Sequence, residues 1–351
     1  MKKKVLALTM VMAIAASMAA CNSGTDASNS NGADVSTSTS TDAGAPAKTI
    51  WKVAFNQTMD HPSAQATVNF GAKFKEATGG EYDFEVYPSE QLGPQRETIE
   101  QTQAGIIEMA MTSCSNLSSY YREFAAFEMP FVFNSADAQV KFFAESPIIE
   151  ELYTLPEEIG LHIATYYHAG VRNMYTKDPI RTLDDLKGKK IRTMESDTYV
   201  KMMEYLGGAA TPMSQGEVYT AIQSGVVDGA ENNESVYYRL KQYEVGPVYS
   251  YTQHLITPDF LVINSDLYHG LSDEWRASFD KLAKEAGEEE YQMWGEEVEY
   301  CKAEAEKGGA TFVEDVDVES FRQACAPLIE EMTQDAAVKK VYDAIQESQN
   351  A

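Results

Sequence analysis

The sequence predicts an α/β fold built as two lobes that share one long helix. The chain has 351 residues, enough for two domains of ordinary size. Short β-type runs alternate with longer amphipathic runs twice along it, once before residue 150 and again after residue 160. A single helical pattern then continues from Ser272 to Lys307. These three observations indicate two α/β units and a helix that is longer than either unit needs.

The first 48 residues differ in composition from the rest. Lys2–Lys4 give a positive start, and Val5–Met18 are apolar but too few to span a bilayer comfortably. Small residues lead directly into Cys21, which predicts a lipoprotein signal over residues 1–21 and a lipid on Cys21; an ordinary secretory signal with a chance cysteine is the alternative. Residues 22–48 are polar and small without apolar periodicity, as in a flexible tether. We expect a folded domain outside the cytoplasm that is attached to the membrane only through lipid.

The first predicted lobe has a β-α-β-α-β order, which favours a parallel sheet covered by helices. Its strands and helices are predicted at Ile50–Asn56, Ser63–Ala77, Tyr82–Tyr87, Gln95–Ala104 and Ile106–Met111.

A second set of strands and helices begins near Leu161. The strands are predicted at Leu161–Tyr167, Arg172–Thr176 and Lys190–Thr193, and the helices at Asp197–Leu206 and Gly216–Ser224.

The helical pattern that ends at Lys307 is followed by two glycines, a common stop signal. At about 1.5 Å per residue this helix is roughly 50 Å long, so it should lie across both lobes. It carries many acidic residues, which we interpret as a solvated face: Glu285, Glu288, Glu289, Glu290, Glu296, Glu297 and Glu299. Residues 314–320 lack the glycine and closing glutamate of a calcium loop and are read as a strand-to-helix connection.

Composition and motifs exclude several classes of function. The formal charge of −26 argues against binding to duplex nucleic acid or to anionic lipid surfaces. The sequence has no HExxH, CxxC, GxSxG or Walker motif, and no GxGxxG follows a strand, so we expect no metal, no cofactor and no enzyme activity. Cys301 and Cys325 could form a disulfide or remain two buried thiols.

Two arginines lie among apolar residues at the ends of predicted strands. Arg172 follows the Ala169-Gly170-Val171 turn, and Arg192 follows Lys190-Ile191. Each could pair with a carboxylate of the protein. Alternatively, its planar guanidinium could bind a ligand carboxylate through two parallel hydrogen bonds. The residues alone leave both interpretations open.

Six ordered segments resemble one known family, the extracytoplasmic solute receptors of tripartite ATP-independent (TRAP) transporters, or DctP family. The segments are Tyr87–Gly93 (YPSEQLG), Glu97–Met109, Met129–Phe133 (MPFVF), Asp184–Met194, Thr211–Asn232 and Tyr243–Gly246 (YEVG). The resemblance covers nearly all of residues 50–348.

The resemblance implies a periplasmic-binding-protein-like fold with a hinge cleft between the lobes. Lobe I would comprise residues 49–169 plus 258–297, and lobe II residues 170–257 plus 298–351. The resemblance further implies that Arg192 binds the substrate carboxylate. Other ligand-binding positions implied by it are Arg172, Asn232, Asn56, Gln95, Ser113, Asn116, Glu195 and Gln215.

The chain departs from the family pattern at two places in this cleft. Asn233 stands where many relatives have proline, and Gln215-Gly216 stands where dicarboxylate and sialic-acid receptors often have an aromatic residue. A polar cleft wall favours a ligand with several hydroxyls, because buried polar groups without partners would cost affinity. We therefore expect a sugar acid, a uronate or aldonate, with a C4-dicarboxylate or another carboxylic acid as the alternative.

The expected function is capture of this small organic acid by a monomeric receptor that delivers it to a TRAP membrane permease. One rival interpretation is an enzyme on the same scaffold, for which Glu195 or His168 would be the candidate base. The other is a sensor that reports occupancy without transport.

Overall fold

The computed structural model describes residues 49–350, which form two β-sheets with helices packed around them. The predicted signal sequence, the lipidated Cys21 and the tether lie outside the described residues. The strands of residues 49–350 are β1 Thr49–Ala54, β2 Tyr82–Tyr87, β3 Met109–Ser113, β4 Leu161–His168, β5 Arg172–Thr176, β6 Lys190–Thr193, β7 Ala209–Pro212, β8 Gly229–Asn232, β9 Val248–Leu255, β10 Pro258–Asn264 and β11 Thr311–Val313.

Most helices of the same region lie between consecutive strands. They are α1 Pro62–Ala77, α2 Gln95–Gln103, α3 Cys114–Leu117, α4 Ala136–Glu145, α5 Ile148–Thr154, α6 Asp197–Tyr205, α7 Val218–Ser224, α8 Glu234–Arg239, α9 Ser265–Gly270, α10 Asp273–Lys307, α11 Val318–Met332 and α12 Ala336–Asn350.

The first sheet forms the centre of lobe I and has the strand order β2-β1-β3-β10-β4. β1 pairs in parallel with β2 and β3, as the sequence predicts. β10 then pairs antiparallel with both β3 and β4, so the sheet is mixed. The prediction of a purely parallel sheet is wrong because β10 enters this sheet from lobe II, in the opposite direction.

The second sheet forms the centre of lobe II and has the order β11-β9-β5-β8-β6-β7. β6 pairs in parallel with β7 and β8, whereas β5 is antiparallel to β8 and β9. The register places Asn173 opposite Asn232 and therefore brings the start of β5 beside the end of β8.

Helix α10 contacts both lobes, which confirms the prediction for the long helix. Ser272 caps it by accepting a hydrogen bond from the Trp275 backbone N–H. The helix packs against α1 and β4 in lobe I and then against α8 in lobe II.

The acidic face of α10 is only partly solvated, so that prediction is wrong for Glu290 and Glu297. Both side chains are buried where the helix crosses the junction between the lobes. Glu290 accepts a hydrogen bond from the His168 backbone N–H at 3.0 Å, and Glu297 accepts hydrogen bonds from Arg239 and Ser235. Because the helix packs against different elements in the two lobes, residues on more than one of its faces are buried.

The C-terminal helices contact both lobes in turn. α11 packs against β9 and α6, whereas α12 packs against α4 and residues 122–128. The sequence prediction assigned residues 298–351 to lobe II. In the structure, the last helix of that segment lies against elements of lobe I.

Strand β3 begins three residues later than predicted. Gly105 has a φ of +68°, a left-handed conformation that ends the turn after α2. Ile106 is consequently 64% exposed, and the strand starts only at Met109. The predicted connection after residue 313 is confirmed, since β11 ends at Val313 and α11 starts at Val318.

Cys114, Cys301 and Cys325 are buried free thiols, so the structure favours the second alternative for the last two. None of the helices between residues 49 and 350 combines the length and the apolar character required to cross a bilayer.

Candidate functional site

The candidate site lies where the carboxyl ends of parallel strands from both sheets face each other. In lobe I the chain leaves β1, β2 and β3 toward this edge, and in lobe II it leaves β6, β7 and β8 toward it. Loops at such edges are the usual place for ligands in α/β sheets. The two edges enclose a cavity of about 30 Å³.

Six of the nine predicted ligand-binding residues line this cavity. They are Asn56, Gln95, Asn116, Arg192, Glu195 and Gln215. The other three, Ser113, Arg172 and Asn232, lie directly behind the wall and contact residues of the wall or of one another.

Arg192 is the central cation of the site. Its side chain comes from β6 and is only 3% exposed. Nε and Nη2 both donate to the Met213 carbonyl, at 3.0 and 2.7 Å, while Nη1 has no hydrogen-bond partner among the described residues. Burial lowers the pKa of this guanidinium below its usual range. A buried cation that forms no salt bridge within the described part of the chain has a free donor available for an anion.

Arg172 has the opposite surroundings, since it is paired with a buried carboxylate. Its Nε and Nη2 donate to the two carboxylate oxygens of Glu231, at 2.6 and 2.8 Å. Burial would raise the pKa of Glu231, but the charge and hydrogen bonds of Arg172, together with His254 at 3.5 Å, bring it down to about 2. Of the two interpretations of Arg172, pairing with a carboxylate of the protein is therefore the one observed, and that carboxylate is Glu231.

Asn232 and Gln215 connect this ion pair to the cavity. Asn232 Oδ1 accepts from Arg172 Nη1 at 3.1 Å, and Asn232 Nδ2 donates to Gln215 Oε1 at 3.2 Å. Gln215 Nε2 then has no partner among the described residues. The chain of hydrogen bonds fixes which end of the Gln215 amide turns away from Asn232, and that end is a donor.

The lobe I wall is held by side-chain amides. Gln95 Oε1 accepts from Asn116 Nδ2 at 3.1 Å and from the Ser113 backbone N–H at 3.4 Å. Asn56 Oδ1 is buried without a partner among the described residues. The Ser113 hydroxyl lies 3.7 Å from Met194 Sδ, across the cleft.

Glu90 belongs to the same wall, and sequence reasoning missed it. It follows the carboxyl end of β2, and its carboxylate lies against the Gly216 backbone of lobe II. Burial raises its pKa, an effect opposed by the nearby Gly216 backbone and the charge of Arg192. Parallel strands end at the same edge of a sheet, and this rule, applied to the YPSEQLG segment after β2, could have found Glu90.

The two candidate bases of the enzyme interpretation lie apart from each other. Glu195 lines the cavity at its exposed rim, whereas His168 is buried outside the cavity wall, beside Gln139. No cluster of His, Cys, Asp and Glu suited to a metal occurs within residues 49–350.

A second cavity of about 700 Å³ lies on lobe I beside the edge strand β4. It is lined largely by aromatic and aliphatic side chains such as Phe143, Tyr153 and Tyr166, and no arginine is among the described residues that line it. Three buried polar atoms without partners among the described residues, Asn56 Oδ1, Arg192 Nη1 and Gln215 Nε2, belong to side chains that line the smaller cavity, which we therefore regard as the candidate site.

Comparisons with known proteins agree with this architecture. A TRAP periplasmic solute binding protein from Anaerococcus prevotii, solved with bound α/β-D-glucuronate, is 36% identical and superposes with a TM-score of 0.83, covering 86% of this chain and 99% of that one. Another from Xanthobacter autotrophicus, solved with bound β-D-galacturonate, is 31% identical with a TM-score of 0.81, covering 85% of this chain and 99% of that one.

A solute-binding protein of Chromohalobacter salexigens is 32% identical over 276 residues, which is 78% of this chain and 82% of that protein. Residues 54–335 match the family model DctP, described as bacterial extracellular solute-binding protein, family 7. The chain therefore belongs to the DctP family of bacterial extracellular solute-binding proteins.

Proposed function

We propose that this protein is an extracytoplasmic receptor for a sugar acid, with hexuronates as the first candidates, and that it delivers this acid to a TRAP membrane permease. The carrying observation is the buried guanidinium of Arg192, whose Nη1 has no partner among the described residues. The glucuronate and galacturonate in the two solved relatives support the ligand class.

The ligand carboxylate would be held by Arg192 inside a closed cleft. An ion pair at 4 Å contributes about 1 kcal/mol in bulk water, but about 4 kcal/mol at an effective dielectric near 20. Exclusion of water is therefore part of the affinity. The high negative charge of the chain is no obstacle at this range, because physiological salt screens charges over about 8 Å.

Ligand hydroxyls would satisfy the remaining polar atoms of the wall. Asn56 Oδ1 needs a donor and Gln215 Nε2 needs an acceptor, and a hydroxyl can serve as either. A ligand without hydroxyls could offer a carboxylate oxygen to Gln215 Nε2 but would leave Asn56 Oδ1 buried and unpaired, at a cost of about 1–3 kcal/mol.

Binding requires the two lobes to separate and close again. A cavity of about 30 Å³ has room for one or two water molecules, whereas ligand pockets typically hold about 300–1,000 Å³. Met194, which contacts Ser113 and Ser115 across the cleft, and the Glu90 contact to Gly216 would part on opening.

A ligand screen tests this proposal. Thermal shift with uronates, aldonates, keto acids and C4-dicarboxylates, followed by titration calorimetry of the hits, should single out a uronate or aldonate. A ligand at 100 times its dissociation constant should add about 2.7 kcal/mol to the free energy of unfolding. Stabilisation by succinate or malate alone would contradict the proposal and favour a dicarboxylate receptor, in which Arg96 at the cavity wall could meet the second carboxylate.

The proposal also includes attachment to the membrane through lipid on Cys21 and delivery of the ligand to a TRAP permease. Lipid on Cys21 predicts that labelled fatty acid is incorporated into the wild-type chain and not into Cys21→Ser. Coupling to transport predicts that uronate uptake by cells that express a TRAP permease requires this protein; uptake unchanged in its absence would leave the sensor role instead.

A further inference from the structure

Glu90 occupies an unusual backbone position at the cleft. Ser89 and Glu90 both have left-handed φ angles, +53° and +58°, although neither is glycine. Such residues are uncommon and occur mainly where the surrounding structure imposes them. Here the Ser89 N–H donates to the Gln57 carbonyl at 2.8 Å, and the Glu90 N–H donates to the Phe55 carbonyl at 2.9 Å. The turn that carries Glu90 is therefore fixed to the loop that carries Asn56.

The carboxylate of Glu90 faces lobe II. Glu90 Oε2 lies so close to the Gly216 backbone that a Cβ atom at position 216 would clash with it. Glycine at 216 thus permits this close approach. Gly216 belongs to the Gln215-Gly216 pair that stands where related receptors often have an aromatic residue.

The buried polar atoms of the cleft divide by lobe. Lobe II presents donors without partners among the described residues, Arg192 Nη1 and Gln215 Nε2. Lobe I presents one such acceptor, Asn56 Oδ1, and the partly buried Glu90 carboxylate, which can only accept when it is ionised. Arg96 of lobe I and Glu195 of lobe II are exposed at the rim. A ligand that bridges the inner part of the cleft must therefore offer acceptors to lobe II and hydrogen-bond donors to lobe I.

We propose that Glu90 is a specificity-determining residue, which accepts a hydrogen bond from a ligand hydroxyl and repels a second ligand carboxylate. This inference rests on the proposed function and narrows it to polyhydroxylated monocarboxylates. A hexuronate meets both requirements, since its single carboxylate suits Arg192 and its hydroxyls suit Glu90. A diacid would place a negative group beside Glu90 or leave Glu90 without a donor.

Neighbouring charges do not remove this discrimination. Arg192 is the cation whose charge acts most directly on Glu90, and the ligand carboxylate would neutralise it. Arg96 also lines the cavity, but its side chain is exposed and is screened by solvent. Glu217 adds further negative potential at Glu90.

The test compares Glu90→Gln with wild type by titration calorimetry against D-glucuronate, D-galacturonate, galactarate and succinate. Glutamine keeps the shape but loses the charge and part of the acceptor capacity. We expect uronate affinity to fall about tenfold or more, as for loss of a charge-assisted hydrogen bond. Affinity for the two diacids should stay constant or rise, so that the uronate-to-diacid ratio changes by at least that factor.

Two further variants make the result specific. Glu100→Gln removes the same charge from the exposed surface of α2 and should leave every affinity unchanged. Gly216→Ala keeps the Glu90 charge but displaces its carboxylate, and should weaken uronate binding in the same direction as Glu90→Gln.

The outcomes separate the two proposals. If wild type binds uronates and Glu90→Gln binds them equally well, or loses uronates and diacids in equal measure, the role of Glu90 is refuted while the receptor function stands. The same holds if wild type binds galactarate as tightly as uronates. If wild type binds succinate as tightly as any sugar acid, or binds neither a uronate nor an aldonate, both proposals are refuted. A thermal midpoint of Glu90→Gln close to that of wild type shows that a loss of affinity does not reflect unfolding.

Discussion

Replacement of Arg192 by lysine or methionine tests the site most directly. The guanidinium uses Nε and Nη2 to donate to the Met213 carbonyl, which leaves Nη1 for a ligand carboxylate. A lysine ammonium is a compact charge without the fixed geometry of a guanidinium, so it cannot donate to the Met213 carbonyl and to a ligand carboxylate in the same arrangement. Arg192→Lys therefore loses at least one charge-assisted hydrogen bond, worth about 1.5–3 kcal/mol, or about 10- to 150-fold in affinity.

Arg192→Met removes the charge as well. The ion pair contributes about 4 kcal/mol at an effective dielectric near 20, so affinity should fall about 1,000-fold. The unliganded variant should nevertheless be at least as stable as wild type, because a buried cation without a salt bridge is replaced by an apolar side chain. Loss of binding together with retained stability is the signature of a ligand-binding residue.

Titration calorimetry with the best ligand of the screen measures the affinity, and urea unfolding without ligand measures the stability. Arg122→Lys, at an exposed arginine paired with Asp335, is the matched control and should bind as wild type. A dissociation constant for Arg192→Lys within threefold of the wild-type value would refute the assignment of Arg192.

Two buried carboxyls and the thiols give the remaining predictions. Glu231→Gln leaves Arg172 unpaired and should lower the free energy of unfolding. Since the pKa of Glu231 falls from 4.5 to about 2 on folding, the carboxylate contributes about 3 kcal/mol of stability above pH 4.5, which is lost as the pH falls toward 2. Urea unfolding should show a stability difference from wild type that is smaller at pH 3.5 than at pH 7, and a difference below 1 kcal/mol at pH 7 would contradict this. Glu128 behaves oppositely, because burial raises its pKa to about 7 despite hydrogen bonds from Ser196 and Ser118, so that the free energy of unfolding falls as the pH rises from 4.5 to 7. The stability of Glu128→Gln relative to wild type should therefore increase by up to about 3 kcal/mol between pH 5 and pH 8. A stability difference that does not change with pH would refute this prediction. Cys114, Cys301 and Cys325 are buried and free. In a protein that begins after Cys21, a thiol reagent should therefore modify no cysteine in the native state and three cysteines in urea. Modification of a single cysteine in urea would reveal a disulfide.

The sequence predicted elements well where local signals define both ends. Strands β2, β5 and β6 begin and end at the predicted residues, and α1 differs by one residue at its start. The insertion of β10 between β3 and β4 was not predicted, because the direction of a strand within a sheet depends on the path of the chain through the other lobe. The burial of Glu290 and Glu297 has a similar origin, since it depends on what α10 crosses rather than on its own composition.

The two arginines show the same limit at the site. Arg172 and Arg192 give nearly identical signals in the sequence, each at a strand end among apolar residues. The antiparallel register of β5 and β8 sets Glu231 opposite Met174, and from there the Glu231 carboxylate pairs with Arg172 and not with Arg192. Glu90 was missed for a different reason: its left-handed backbone is imposed by the carbonyls of Phe55 and Gln57, and local propensity contains no signal for that contact.

The number of segments that join the lobes has a consequence for how the receptor recognises its ligand. The chain passes between the lobes through residues 169–171, through residues 256–257, along α10 and from α11 to α12. Four connections permit the lobes to rotate about a hinge, but they resist sliding and twisting of one lobe against the other. Each cycle of capture and release should thus bring the same donors opposite the same acceptors, so that selectivity is built into the joint as much as into the residues that touch the ligand.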